Sequence, residues 1–134
     1  MRNSFSRCSC GNHFLLKKFA IQKNNSMCQF QSLYFEDDGY VVRCKQCNNY
    51  QLAFGNMMIT LSQHDFDIMC KAVQHKCAEE NFTFSGYAKC IVVPTPSNGM
   101  HLLLTKKELT RFNEILEEAD NEAKAQSLIS LFSR

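Results

Sequence analysis

Cys44-Lys-Gln-Cys47 holds two thiols three positions apart, between a run ending in Val41-Val42-Arg43 and the strand-like Tyr50-Gln-Leu-Ala-Phe54. As thiolates at this spacing they can share one metal ion, zinc above all, which takes sulfur ligands about 2.3 Å away in a tetrahedral array. The same spacing can close a small redox ring. The redox chemistry is less well served, because a thiolate is ordinarily stabilised at a helix N-terminus, and Asn48-Asn49-Tyr50 leads here into a strand. Two sulfurs are half a zinc site, so further ligands must come from elsewhere in the chain.

Pairing geometry points to the third. Phe30 to Phe35 and Tyr40 to Cys44 are rich in aromatic and β-branched residues and flank Glu36-Asp37-Asp38-Gly39, whose Asp-Gly suits a tight hairpin turn. A two-residue loop at Asp38-Gly39 sets Asp37 against Tyr40 and Cys28 level with Asn49; a three-residue loop sets Cys28 level with Asn48. In either register Cys28 falls beside Cys47, which makes Cys28, Cys44 and Cys47 the expected zinc ligands. Cys8, Cys10 and His13 are candidates to complete the set, with His64 or a helix cysteine behind them. Two unmodified turn thiols are the plain alternative.

The other reactive residue types read as fold. Cys70 and Cys77 lie on an apolar helical stripe and Cys90 alternates within an expected strand, where a thiol serves as a small hydrophobe. His75 and Cys77 are two apart on a helix and point apart. His64 reads as a solvated first-turn residue and His101 as half exposed. Glu36, Asp37 and Asp38 are turn carboxylates rather than a catalytic pair. With no phosphate-cradling glycine loop, nucleophile elbow or zinc-protease motif, the sequence leans away from an enzyme.

Two hairpin-plus-helix units must position these residues. Gly55-Asn56 is a two-residue turn that pairs Phe54 with Met57, Leu52 with Ile59 and Tyr50 with Leu61 on one apolar face, leaving Gln51, Ala53, Met58 and Thr60 on a lightly covered one. Ser62 and Asp65 form a capping box for a helix from about Gln63 to Glu79, with Phe66, Met69, Cys70, Val73 and Cys77 at helical spacing. A strand from Tyr87 to Val93 stops at Pro94. Thr95-Pro-Ser-Asn-Gly99 is a turn-rich connection, and Met100 to Leu104 leads into a Thr105-x-x-Glu108 cap and a second helix. Its stripe is Leu109, Phe112, Leu116, Ala119 and Ala123, and it runs on toward Leu128 and Leu131. The two units match at an offset of 43 residues, either as a tandem ββα repeat or because strand, cap and helix share generic local chemistry. The expected fold is α+β: antiparallel hairpins in one sheet with two amphipathic helices on its apolar face.

The 134 residues suit one domain large enough for its own core, expected over residues 27–134. A hydrophobic content of 45% and charged content of 21% are ordinary for a globular chain. No apolar run approaches the ~20 residues of a bilayer span, so no membrane partner is expected. The net charge of +2 conceals an asymmetry: no acid precedes Glu36, while five of the 15 basic residues lie within residues 1–26. From Met27 onward ten bases face all 13 acids, so the body carries about −3 and is a poor nucleic-acid binder. Residues 1–26 read as a basic tail, with three accounts open: a mobile arm, a transit-like peptide, or codons upstream of a true start at Met27. The third is favoured. Lys17-Lys18 interrupts the only leader-like run, so the cysteines are expected reduced in the cytoplasm.

The stretch Cys44-x-x-Cys47-x-x-Tyr50-Gln51-Leu52-Ala53-Phe54-Gly55-Asn56, followed by a strand, a cap and an aromatic-bearing helix, resembles a family of small uncharacterised bacterial proteins. The resemblance covers roughly Cys28 to Val73 and leaves Met1 to Ser26 outside. It implies a compact bacterial cytosolic protein and carries no catalytic residues across. The leading expectation is a non-enzymatic binding or adaptor module with a zinc-stapled first hairpin and an unidentified protein partner; the alternative is a thiol redox protein using Cys44 and Cys47.

Overall fold

The structure is a computed structural model and describes residues 28–79 and 86–133. It has an α+β fold with six strands and two helices among those residues: β1 (Phe30–Glu36), β2 (Gly39–Cys44), β3 (Tyr50–Phe54), β4 (Met57–Leu61), α1 (Gln63–Ala78), β5 (Ile91–Pro94), β6 (His101–Leu104) and α2 (Lys106–Phe132). The chain divides after Gln63 into two compact units. The strands make two sheets rather than the expected one: β1-β2-β3-β4 in order, and a separate β5-β6 pair. The tail expected over residues 1–26 lies outside the described residues.

In the first unit the β3-β4 hairpin has the expected register, Tyr50↔Leu61, Leu52↔Ile59 and Phe54↔Met57, around Gly55 at φ +59°. Tyr50, Leu52, Ile59 and Leu61 are all buried, together with Val41, which pairs with Leu52. The Tyr50 hydroxyl satisfies itself by donating to Gln63 Oε1 at 2.7 Å. The opposite face departs from expectation, because Gln51 is only 1% exposed and the face is therefore not lightly covered at that point.

The β1-β2 hairpin turns one residue earlier than expected. Glu36 pairs with Gly39, so the loop is Asp37-Asp38 and the glycine belongs to β2. Its missing side chain is needed for close packing: a Cβ at Gly39 would lie 2.3 Å from the Ala53 carbonyl oxygen on β3. Gly39→Ala should therefore cost about 1–3 kcal/mol through backbone displacement, measured by chemical denaturation, and an unchanged midpoint would refute that role. A bulge between Ser32 and Tyr34 shifts the register again and turns two successive side chains, Leu33 and Tyr34, into buried positions.

In the second unit α1 buries Phe66, Met69 and Val73, while Cys70 and Cys77 are only half-buried. The α2 stripe is buried at Leu109, Phe112, Leu116, Ala119 and Ala123, and Ile115 joins it. The expected strand from Tyr87 begins only at Ile91, because the Cys90 amide donates back to the Ala88 carbonyl and Tyr87 stands 93% exposed. Thr95 closes the β5-β6 connection by donating its hydroxyl to the Met100 carbonyl at 2.7 Å, with Gly99 at φ +78°. The offset of 43 residues carries the end of β4 onto the end of β6 and the start of α1 onto the start of α2. The strands before them do not superimpose in this way, since a two-residue turn in one hairpin answers to six residues in the other.

Thr105 caps α2 with a complete capping box. Its hydroxyl accepts from the Glu108 amide at 3.1 Å, and the Glu108 carboxylate accepts from the Thr105 amide at 2.8 Å and from Lys89 at 2.9 Å. The Thr105 amide, then Lys89, hold the Glu108 carboxyl below its ordinary value. The stabilisation is thus present above the unfolded carboxylate pKa and lost as pH falls through the lower folded one. Thr105→Ala should cost about 0.5–2 kcal/mol near neutral pH, read by thermal melting, and less in acid. An equal cost at pH 3 and pH 7 would remove Glu108 from the account.

The far end of α2 is exposed. Leu128, Ile129, Leu131 and Phe132 are 58%, 64%, 62% and 86% accessible. Among the described residues no helix is long and apolar enough to cross a membrane.

Candidate functional site

The chemistry-bearing residues gather at one end of the four-stranded sheet, where β2 hands over to β3. The turn Lys45-Gln46-Cys47 is closed by the Asn48 amide donating to the Cys44 carbonyl at 2.9 Å, with Asn48 itself at φ +59°. Asparagine tolerates this left-handed conformation better than most side chains. Past the turn the Cys44 amide donates to the Asn49 carbonyl at 2.8 Å, placing Cys44 and Asn49 opposite one another.

Cys28 is brought to the same place by β1. Lys45 donates its amide to the Gln29 carbonyl at 2.8 Å, and the Gln29 amide donates to Gln46 Oε1 at 2.6 Å, so the segment entering β1 is tied directly to the turn. The register differs from the expected one: Phe30 pairs with Cys44, and continuing the ladder sets Cys28 level with Gln46 rather than with Asn48 or Asn49. The earlier turn and the bulge cause the difference. The neighbourhood is nonetheless the expected one, because Cys28, Phe30, Val42 and Cys44 form one buried cluster with Tyr40 and Cys47 packed against it.

Cys44 is fully buried, Cys28 nearly so and Cys47 half-buried. The Cys44 thiol approaches Gln46 Oε1 at 3.6 Å. Cys44, Cys47, Cys70, Cys77 and Cys90 lie outside any disulfide, whereas Cys28 is disulfide-bonded, a departure from thiols reduced throughout. Among the described residues no group of three or more His, Cys, Asp or Glu side chains is arranged to hold a metal ion. Cys8, Cys10 and His13 lie outside the described residues.

Two residues that the sequence reading passed over belong to this site. Gln51 pairs with Val42 and so shares the face of Cys44, and neither its Nε2 nor its Oε1 has a hydrogen-bond partner; Asn49 Nδ2 is likewise unpartnered. Both residues are buried, at 1% and 5% exposure. The available signal was parity: Asn49, Gln51 and Cys44 fall on one face once β2 and β3 are paired.

Cys70 and Cys77 are unsuited to nucleophilic work. Burial, then Asp120 and Asp67, push the Cys70 thiol up to about 12; burial, then Glu117, raises Cys77, whose sulfur faces the Leu109 carbonyl at 3.7 Å. Cys70 lines an open groove of about 390 Å³ with Asp67, Lys71, Gln74, Asp120 and Lys124. His64, His75 and His101 are exposed, as are Glu36 and Asp37 of the first turn.

No curated protein and no solved structure matches this chain. The sequence from residue 27 to residue 132 matches the model of a family of unknown function, DUF6686. That span takes in β1 to α2, the cysteine cluster and both buried amides, and the chain belongs to that family.

Proposed function

We propose that the protein is a small non-enzymatic binding module of the bacterial cytoplasm whose first hairpin is stapled by one zinc ion through Cys28, Cys44 and Cys47. The observation that carries this reading is the convergence of β1 and the β2-β3 turn on one cluster containing all three sulfurs. The tight turn closed through Asn48 is the kind of backbone that presents two cysteines to a single ion. Cys28 serves as a ligand only as a thiolate, so its disulfide must first accept two electrons from a thiol or phosphine reductant. Loading then releases the thiol protons. The fourth position is not assigned. A redox role for Cys44 and Cys47 finds less support, because a thiolate attacking a disulfide needs access and Cys44 has none. The binding role draws on the apolar end of α2, four exposed large side chains suited to a protein partner.

The test is elemental analysis of protein purified with a phosphine reductant and no chelator. Up to one zinc per chain is expected. Cys44→Ser should release it and destabilise the first hairpin, while Cys70→Ser should retain it. Fresh reduced protein without zinc, in the full chain and in one lacking residues 1–26, would overturn the reading and leave two ordinary turn thiols.

A further inference from the structure

We infer that the exposed apolar end of α2 docks on the outer face of the β5-β6 hairpin in a second copy of this chain, which returns the same contact. This names the protein partner that the binding reading above leaves open, and it rests on that reading. Strands with one solvated face alternate apolar and polar residues. Ile91-Val92-Val93 and Leu102-Leu103-Leu104 are apolar at every position, the composition of strands covered on both sides. The structure buries Ile91, Val93, Leu102 and Leu104 but leaves the Val92↔Leu103 pair facing outward, 47% and 52% exposed, beside the exposed Pro94↔His101 pair. On α2 the residues from Lys106 to Lys124 are rich in charge, and those from Ala125 to Phe132 carry none. Phe132 follows the buried Ala123 by nine residues, about two and a half turns, so it stands on the opposite side of the helix from the buried stripe. The hairpin of the same copy is out of reach: β6 leads through Thr105 straight into α2, and Leu128 follows Lys106 by about 33 Å of helix, whereas four-residue strands are about 13 Å long. A charged partner surface would lose its hydration against either patch without gaining an ion pair, since Cys90 to Thr105 also lacks Asp, Glu, Lys and Arg. Each patch therefore suits the other, and a second copy presents both. A two-fold axis makes the contact twice. The six large side chains offer roughly 600 Å² per copy at their exposures, so the pair covers up to about 1,200 Å², the lower edge of specific interfaces. Association is accordingly weak, and the dilute chain is a monomer.

The experiment is sedimentation equilibrium of the full chain from micromolar to millimolar concentration, where the mass should rise from 15.4 kDa toward twice that value. Leu103→Lys and Ile129→Glu each place a charge on one side of both contacts, and each should weaken association by about 100-fold or more. Both positions are exposed, so the circular dichroism of the variants should match the parent. An equimolar mixture of the two variants should associate again, because one contact is then unaltered and the other sets the introduced ammonium against the introduced carboxylate. A parent chain that stays at 15.4 kDa throughout overturns the inference, whether residues 1–27, a different protein or a membrane covers the two patches. The zinc-stapled binding module is untouched by that result, since elemental analysis decides it separately. Variants that associate as well as the parent also overturn the inference. A mixture that stays monomeric does so too, and would set helix end against helix end instead. Loss of the parent circular dichroism in either variant would count against it as well, because the position would then serve the fold of the single chain.

Discussion

Phe112→Ala is expected to lower stability by about 3–5 kcal/mol, measured by denaturant unfolding. Phe112 is fully buried on α2 and is among the largest side chains with no solvent contact, flanked along the helix stripe by Leu109, Ile115 and Leu116. Removing the ring discards its transfer free energy and leaves a cavity that the neighbouring turns of one helix cannot close. The same substitution twenty residues on provides the control. Phe132 is 86% exposed, and Phe132→Ala should stay within about 0.5 kcal/mol. A Phe112 variant within 1 kcal/mol of the parent, or a Phe132 variant that loses as much as Phe112, would contradict the assignment of the two ends of α2.

Ile59→Ala should cost about 2–5 kcal/mol by the same measurement. Ile59 is paired directly with Leu52, which has no exposed surface, and Val41 stands on the other side of Leu52. Leu52 is the middle of this three-strand buried row, and the three carbons removed from Ile59 leave it without contacts on one side. A change below half a kcal/mol would mean that the row repacks, and the β3-β4 register would then need a different anchor.

The parts of the fold legible in the sequence are those where local chemistry and tertiary packing agree. Gly55-Asn56 admits one tight turn, and every pair of the second hairpin follows from it. Thr105 and Glu108 mark the start of α2 because the same two side chains satisfy both orphaned amides. The first hairpin misled because Asp38-Gly39 carries the composition of a turn, while the glycine is retained for the approach of the Ala53 carbonyl, a long-range constraint absent from the local sequence. The cysteine cluster was reached by a wrong register: the early turn and the bulge each moved Cys28, yet it stayed within the same group. Gln51 reads in the sequence as a polar residue on a lightly covered face, since full burial of a second sheet face leaves no trace in alternation. The apolar end of α2 was readable as helix but not as exposed, because periodicity reports a stripe and not what covers it.

The bulge in β1 also determines where the chain can change length. Ordinarily a strand cannot gain or lose one residue, because every side chain beyond the change would swap faces. In β1 the pairs Ser32↔Val42 and Tyr34↔Val41 are already consecutive on the β2 side, with Leu33 the supernumerary residue. A chain one residue shorter at Leu33 keeps Phe30 against Cys44 and Glu36 against Gly39, and loses only one buried leucine. Within this strand the bulge is thus the place where removal of one residue leaves the cysteine corner in register with β2.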